Sequence, residues 1–149
     1  MMIEIKYPPP DFRIKTEKEV EYIFDAIRKK WIVLTPEEWV RQNFIQYLIS
    51  VKNYPSSLIA VEKEIRLGEL KKRFDILVYD KQHQPWMMIE CKASSVPLGE
   101  DVLAQLLRYH IGLSVPFLII TNGNITYGWK KNANELVVLE NLPMFTDEL

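Results

Sequence analysis

The sequence predicts an α/β fold in which a mixed sheet is flanked by helices on both faces. Three observations carry that prediction. Runs rich in branched and aromatic residues cluster at Leu58 to Leu67, Arg73 to Tyr79 and Trp86 to Lys92, each bounded by turn residues. A helical segment from about Gly99 to Gly112 follows them, and then Val115 to Thr121 forms a continuous apolar run typical of a strand covered on both faces. Strand, helix and strand in that order favour a parallel pair joined by a right-handed crossover, whereas the meander before it is antiparallel.

The elements follow in order. Residues up to Pro10 are proline-rich and read as irregular, and a short extended piece surrounds Phe12 to Ile14. From Glu17 to Lys30, Val20, Ile23, Phe24 and Ile27 recur at helical spacing, which predicts an amphipathic helix. Thr35-Pro36-Glu37-Glu38 is a helix start, with threonine as the cap, proline at the first helical position and glutamate three residues after the cap. That helix is predicted to run to about Val51, burying Val40, Phe44, Tyr47, Leu48 and Val51. Gly68-Glu69 marks a hairpin turn between the first two strands of the meander. Asn122-Gly123 ends the buried strand, and Ile125 to Lys130 and Leu136 to Leu139 supply a terminal hairpin. The whole reads as a single domain, 1–149, with an N-terminal extension and helix over 1–34 and a core over 35–140.

Composition narrows the function. At 149 residues, 48% hydrophobic and 26% charged, the chain has the balance of an ordinary globular protein, so neither disorder nor repeats need be invoked. The net charge of -1 excludes a strongly basic nucleic-acid binder and leaves such work to local positive patches. One cysteine forms no internal disulfide, and neither a signal-peptide pattern nor an apolar span of about 20 residues is present, so a cytoplasmic protein with no membrane association is expected. Two distant histidines without cysteine companions do not make a zinc site. Any metal would be held by carboxylates.

The chemistry concentrates on Asp75, Glu90 and Lys92. If their strands are antiparallel neighbours, Asp75 near the start of one lies beside Glu90 near the end of the next. Two converging carboxylates can hold a hard divalent cation, and a lysine beside them can orient a water or steady negative charge. Glu-x-Lys occurs three times, at Glu4, Glu69 and Glu90, so the spacing alone means little. The third is distinguished by the apolar run Trp86 to Ile89 before it. Alternation puts Glu90 and Lys92 on one side and Ile89 and Cys91 on the other. The bland alternative is a surface ion pair at a strand end.

Several separated segments, Leu34-Thr-Pro-Glu-Glu-Trp-Val-Arg, Val61-Glu-Lys-Glu-Ile, Lys72-Arg-Phe-Asp-Ile, Ile89-Glu-Cys-Lys-Ala, Gln105-x-x-x-Tyr109 and Ile119-Ile-Thr-Asn-Gly, together resemble the PD-(D/E)XK nuclease superfamily. More specifically, the stretch from about Trp31 to about Gly128 is similar to the N-terminal nuclease domain of type I restriction enzyme R subunits. The resemblance implies a restriction-endonuclease-like fold and a magnesium or manganese ion held by Asp75, Glu90 and the Cys91 backbone carbonyl, with Lys92 assisting the water. It also implies an acid on the first core helix that meets the metal directly or through water. That acid is Glu38 or Glu37, and Glu38 is preferred because it sits beside the buried stripe and can turn toward a sheet edge, although capping the helix is an equally good role for it. Gln105 and Tyr109, one turn apart on the crossover helix, are implied to hold the nucleic-acid strand. The chain departs from the family in having Phe74 where a proline usually precedes the aspartate, and in containing no helicase motor.

The expectation is therefore magnesium-dependent endonuclease hydrolysis of DNA, with Asp75, Glu90, Lys92 and Glu38 catalytic and with Lys71, Lys72 and Arg73 as candidate phosphate contacts. No Gly-x-x-x-x-Gly-Lys-Ser/Thr loop is present, so no ATP is expected. The rival from another class is a nuclease-fold module that binds nucleic acid or a partner protein without cutting. A homodimer that builds its DNA groove across two chains is compatible with either.

Overall fold

The computed structural model describes residues 2–67, 69–110, 112–133 and 135–145, and the side chains of Leu67, Leu70, Tyr109 and His110 lie outside the description. Where the sequence predicts a helix over Glu17 to Lys30, the chain instead forms an antiparallel three-stranded sheet: β1 (Ile14–Glu17), β2 (Val20–Asp25) and β3 (Lys30–Val33). The helical spacing of four apolar residues is overridden by turn and pairing chemistry. Lys18 and Glu19 both take positive φ, 48° and 67°, closing a two-residue turn of the kind that matches strand twist. At the second turn Asp25 accepts the backbone N–H groups of Ile27 at 2.7 Å and Arg28 at 3.0 Å, an Asx turn that stops a helix. The branched and aromatic residues of β2 then pair with Trp31, Ile32 and Val33.

The predicted helix start holds. Thr35 is extended, its hydroxyl accepts the Glu38 N–H at 3.0 Å, and Pro36 opens α1 (Pro36–Ser50). After a single turn at Ser56–Leu58 come β4 (Ile59–Leu67), β5 (Leu70–Tyr79) and β6 (Pro85–Cys91), then α2 (Glu100–His110), β7 (Phe117–Thr121), β8 (Thr126–Asn132) and β9 (Glu135–Val138). The second sheet has the order β4-β5-β6-β7-β8-β9. Among the described strands of this sheet, β6 and β7 alone pair in parallel, joined through α2, and the rest are antiparallel, so the sheet is mixed as expected.

The two helices cover opposite faces. Val40, Phe44 and Leu48 of α1 pack on Ile76, Val78, Met87, Ile89 and Ile119, while Val102, Leu103, Leu106 and Leu107 of α2 pack on Leu77, Met88, Leu118 and Ile120. All five residues of β7 are buried, which is why its sequence shows no alternation. Alternation breaks at one place on β5. Phe74 and Ile76, two residues apart, belong to opposite core layers, and the pair Glu62–Asp75 is missing from an otherwise continuous register. Glu62 there has φ 52°, a sparsely populated conformation for a residue with a side chain.

Candidate active site

Asp75 lies where β5 and β6 part. Their ladder pairs Leu77 with Met88 and ends at Ile76 with Ile89, and the next step of that register sets Asp75 opposite Glu90. There the Asp75 carboxylate takes over the role of the strand, with Oδ2 accepting the Cys91 N–H at 2.7 Å. The Glu90 pKa is pushed up to about 8, by burial first and next by the charge of Asp75 and hydrogen bonding to it. The positive charge of Lys92 opposes that rise. Lys92 is itself fixed by its backbone N–H, which donates to the Thr121 carbonyl at 2.8 Å.

Both helix acids reach this region by different routes. Glu38 is 4% exposed and fully engaged: Oε1 accepts from Arg28 at 2.9 Å and Arg41 at 2.7 Å, and Oε2 accepts from Gln42 at 3.0 Å. It meets Asp75 through Arg41, whose other terminal nitrogen donates to Asp75 Oδ1 at 3.2 Å. Glu37 is less buried, and its pKa is raised by burial and then by the Asp75 charge, with Arg41 and Lys92 opposing. Glu37 is thus electrostatically linked to Asp75, Glu90 and Lys92, and its Oε1 lies 3.9 Å from the Arg41 guanidinium. Burial works against the charge of Arg41, yet Glu38 and Asp75 raise its pKa above the ordinary value.

Among the described residues, no three His, Cys, Asp or Glu side chains are gathered to hold a metal ion. The implied donor set is smaller than that: two carboxylates and a main-chain carbonyl, the rest of a magnesium shell being water. Two carboxyls crowded enough to retain a proton near neutral pH fit that use, since a cation between them removes the repulsion that holds the proton.

Residues 36–143 match the family described as Type I restriction enzyme R protein N terminus (HSDR_N). The chain belongs to this family. No curated protein matches it significantly. Within this R-protein N-terminal domain, the helix, strand and crossover elements that the resemblance rests on are all present in their expected order.

Other expected residues of the R-protein N-terminal domain lie farther out. Lys71 is exposed and 3.9 Å from Glu64, Lys72 is half-buried, and Arg73 is exposed with its guanidinium 3.3 Å from Glu62. All three sit on the arm of β5 beyond the break at Asp75. Gln105 is exposed on α2, and the Tyr109 side chain lies outside the described residues. No helix among the described residues is long and apolar enough to cross a membrane.

Sequence reasoning missed three members of the site. Arg28, on the turn after β2, donates to Asp25, Glu38 and Glu62 at once and ties the N-terminal meander to α1. Arg41 joins Glu38 to Asp75, and Glu62 receives Arg28, Arg41 and Arg73. With Lys30, Thr35 and Glu37 these residues line a polar cavity of about 390 Å³ that opens beside Asp75. The spacing of Glu38 and Arg41, one helical turn apart, was a legible signal. The spacing of Asp25 and Arg28 hints at their pairing, but nothing local signals the reach of Arg28 to Glu38 and Glu62, 10 and 34 positions away.

Proposed function

We propose that this domain is a magnesium-dependent endonuclease that hydrolyses DNA phosphodiester bonds. The observation that carries the reading is the placement of Asp75 opposite Glu90 where two strands part, with Lys92 two residues further along and its charge acting on the pair. Asp75, Glu90 and the Cys91 carbonyl would hold Mg²⁺ or Mn²⁺, which when bound supplies an activated water and positive charge at the phosphate. Lys92 orients that water or steadies charge developing on the phosphate. Arg41 holds Asp75 in position and is itself held by Glu38, so Glu38 acts on the site through the arginine. Glu37, the helix acid coupled to the pair, is the better placed of the two to hold a water by hydrogen bond. Lys71, Lys72 and Arg73 contact phosphates along the β5 arm, and Gln105 and Tyr109 help to hold the strand.

The non-cleaving reading draws on two observations: the net charge of -1, and the Arg41 guanidinium that already pairs with Asp75. Plasmid nicking separates the readings. Wild-type protein with magnesium or manganese converts supercoiled plasmid to open circles, while Lys92→Ala, which keeps both carboxylates, does not. Equal traces from the two proteins remove the catalytic role.

A further inference from the structure

Alternation along β2 divides the N-terminal meander into two faces. Ile23 and Asp25 are fully buried on one. The other carries Val20, Tyr22 and Phe24, and the register adds Trp31 and Val33 from β3. Val20 and Val33 are 38% and 47% exposed, and the three aromatic rings are half-buried. The neighbouring strand brings cations to the same face, since Lys15 pairs with Tyr22 and the Arg13 carbonyl accepts the Phe24 N–H. The Arg13 guanidinium lies 4.9 Å from the Phe24 ring centroid and 5.4 Å from that of Trp31. The Lys15 ammonium lies 4.5 Å from Trp31 and 5.8 Å from Tyr22. Glu17, an acid on this face, is bound to Lys15 at 3.1 Å.

Half-open aromatic rings on a sheet face, with cations lying over them, offer bases a surface to stack on and phosphates a charge to meet. We propose that this outer face of the meander is a platform for single-stranded nucleic acid, with bases on Tyr22, Phe24 and Trp31 and phosphates at Arg13 and Lys15. A duplex keeps its bases stacked inside and presents no free faces to the rings. A second copy is a poorer occupant, because pairing this face with itself gathers the Arg13 and Lys15 cations of both chains on one small contact. The platform lies outside residues 36–143, so membership of the family assigns it nothing. It extends the nucleic-acid reading of the Asp75 site, but it needs no metal.

That independence makes the two separable. Fluorescence anisotropy of an oligothymidylate of about 16 nucleotides, titrated with the full chain in EDTA, removes the metal-dependent part of binding, and variants on the meander isolate the share of the platform. The double variant Arg13→Gln, Lys15→Gln binds more weakly and flattens the slope of log affinity against log salt by about 1.4, the contribution of two phosphate contacts. Trp31→Leu, with a circular dichroism spectrum matching wild type, weakens binding by at least about fivefold. The charge variant carries the test if Trp31→Leu does not fold. Absence of wild-type binding overturns the proposal, as does an unchanged salt slope in the double variant. A concentration-dependent dimer that Trp31→Leu abolishes gives the face to a second copy and overturns it too. Failure of plasmid nicking with oligonucleotide binding intact counts against the Asp75 site and leaves the platform standing.

Discussion

Replacing Glu90 with glutamine removes a carboxyl whose proton the fold retains. Burial, and then the charge and hydrogen bond of Asp75, push its pKa from 4.5 to about 8. The native state binds this proton more tightly than the unfolded chain does. The associated stability is therefore fully present below the unfolded value and is lost as pH rises through the folded one. At about 1.4 kcal/mol for each tenfold in proton affinity, the metal-free protein loses about 3 kcal/mol by pH 7 and about 5 kcal/mol beyond pH 8 on this account. Glutamine carries no charge at any pH and escapes the loss. Urea unfolding in EDTA at about pH 5, 7 and 9 reads the difference. Near pH 5 the wild type is expected to equal or exceed Glu90→Gln, and near pH 7 the variant is expected to be the more stable by about 3 kcal/mol, with a larger gap near pH 9. Parallel pH profiles for the two proteins refute the reasoning, because they mean that Glu90 ionises in the fold without cost.

Two further substitutions probe how the site is held. Arg28→Ala strips the fully buried Asp25 of its charged partner and leaves Glu38 with fewer donors, so it is expected to cost about 3 kcal/mol by urea unfolding. Arg28→Lys recovers only part of that, since one ammonium does not span three carboxylates, and full recovery contradicts the bridging role. Thr35→Ala removes the hydroxyl that accepts the Glu38 N–H and is expected to cost about 1 kcal/mol, while Thr35→Ser is expected to be nearly neutral.

Much of this architecture was legible in the sequence because its determinants are local. Thr35-Pro36 marks the start of α1 by side-chain chemistry that does not depend on the rest of the fold, and the unbroken run Phe117 to Thr121 announces a strand covered on both faces. The positions of Asp75 and Glu90 on neighbouring antiparallel strands were likewise readable, since a short hairpin connection fixes register. The N-terminal meander was not. Val20, Ile23, Phe24 and Ile27 satisfy a helical period and a strand pair equally well, and the choice was made by Asp25, whose carboxylate caps a turn, and by pairing with Trp31 to Val33. The same limit applied to the site. Sequence distinguished the metal-facing candidates by residue type, but not the division of labour between adjacent glutamates. That division depends on Arg41 and Arg28, which both donate to Glu38 Oε1, and on Gln42, which donates to Oε2, whereas Glu37 feels the charges of Asp75 and Lys92.

The central claim is that Asp75 and Glu90 together receive a divalent cation. Titration calorimetry of Mn²⁺ into the protein near pH 7, run in two buffers of different ionisation enthalpy, measures binding and proton release at once. With the Glu90 pKa at about 8, that carboxyl is mostly neutral near pH 7, so the predicted result is binding with release of close to one proton for each ion, lost in Asp75→Asn. Absence of any binding heat, or the same affinity and proton count in Asp75→Asn, contradicts it.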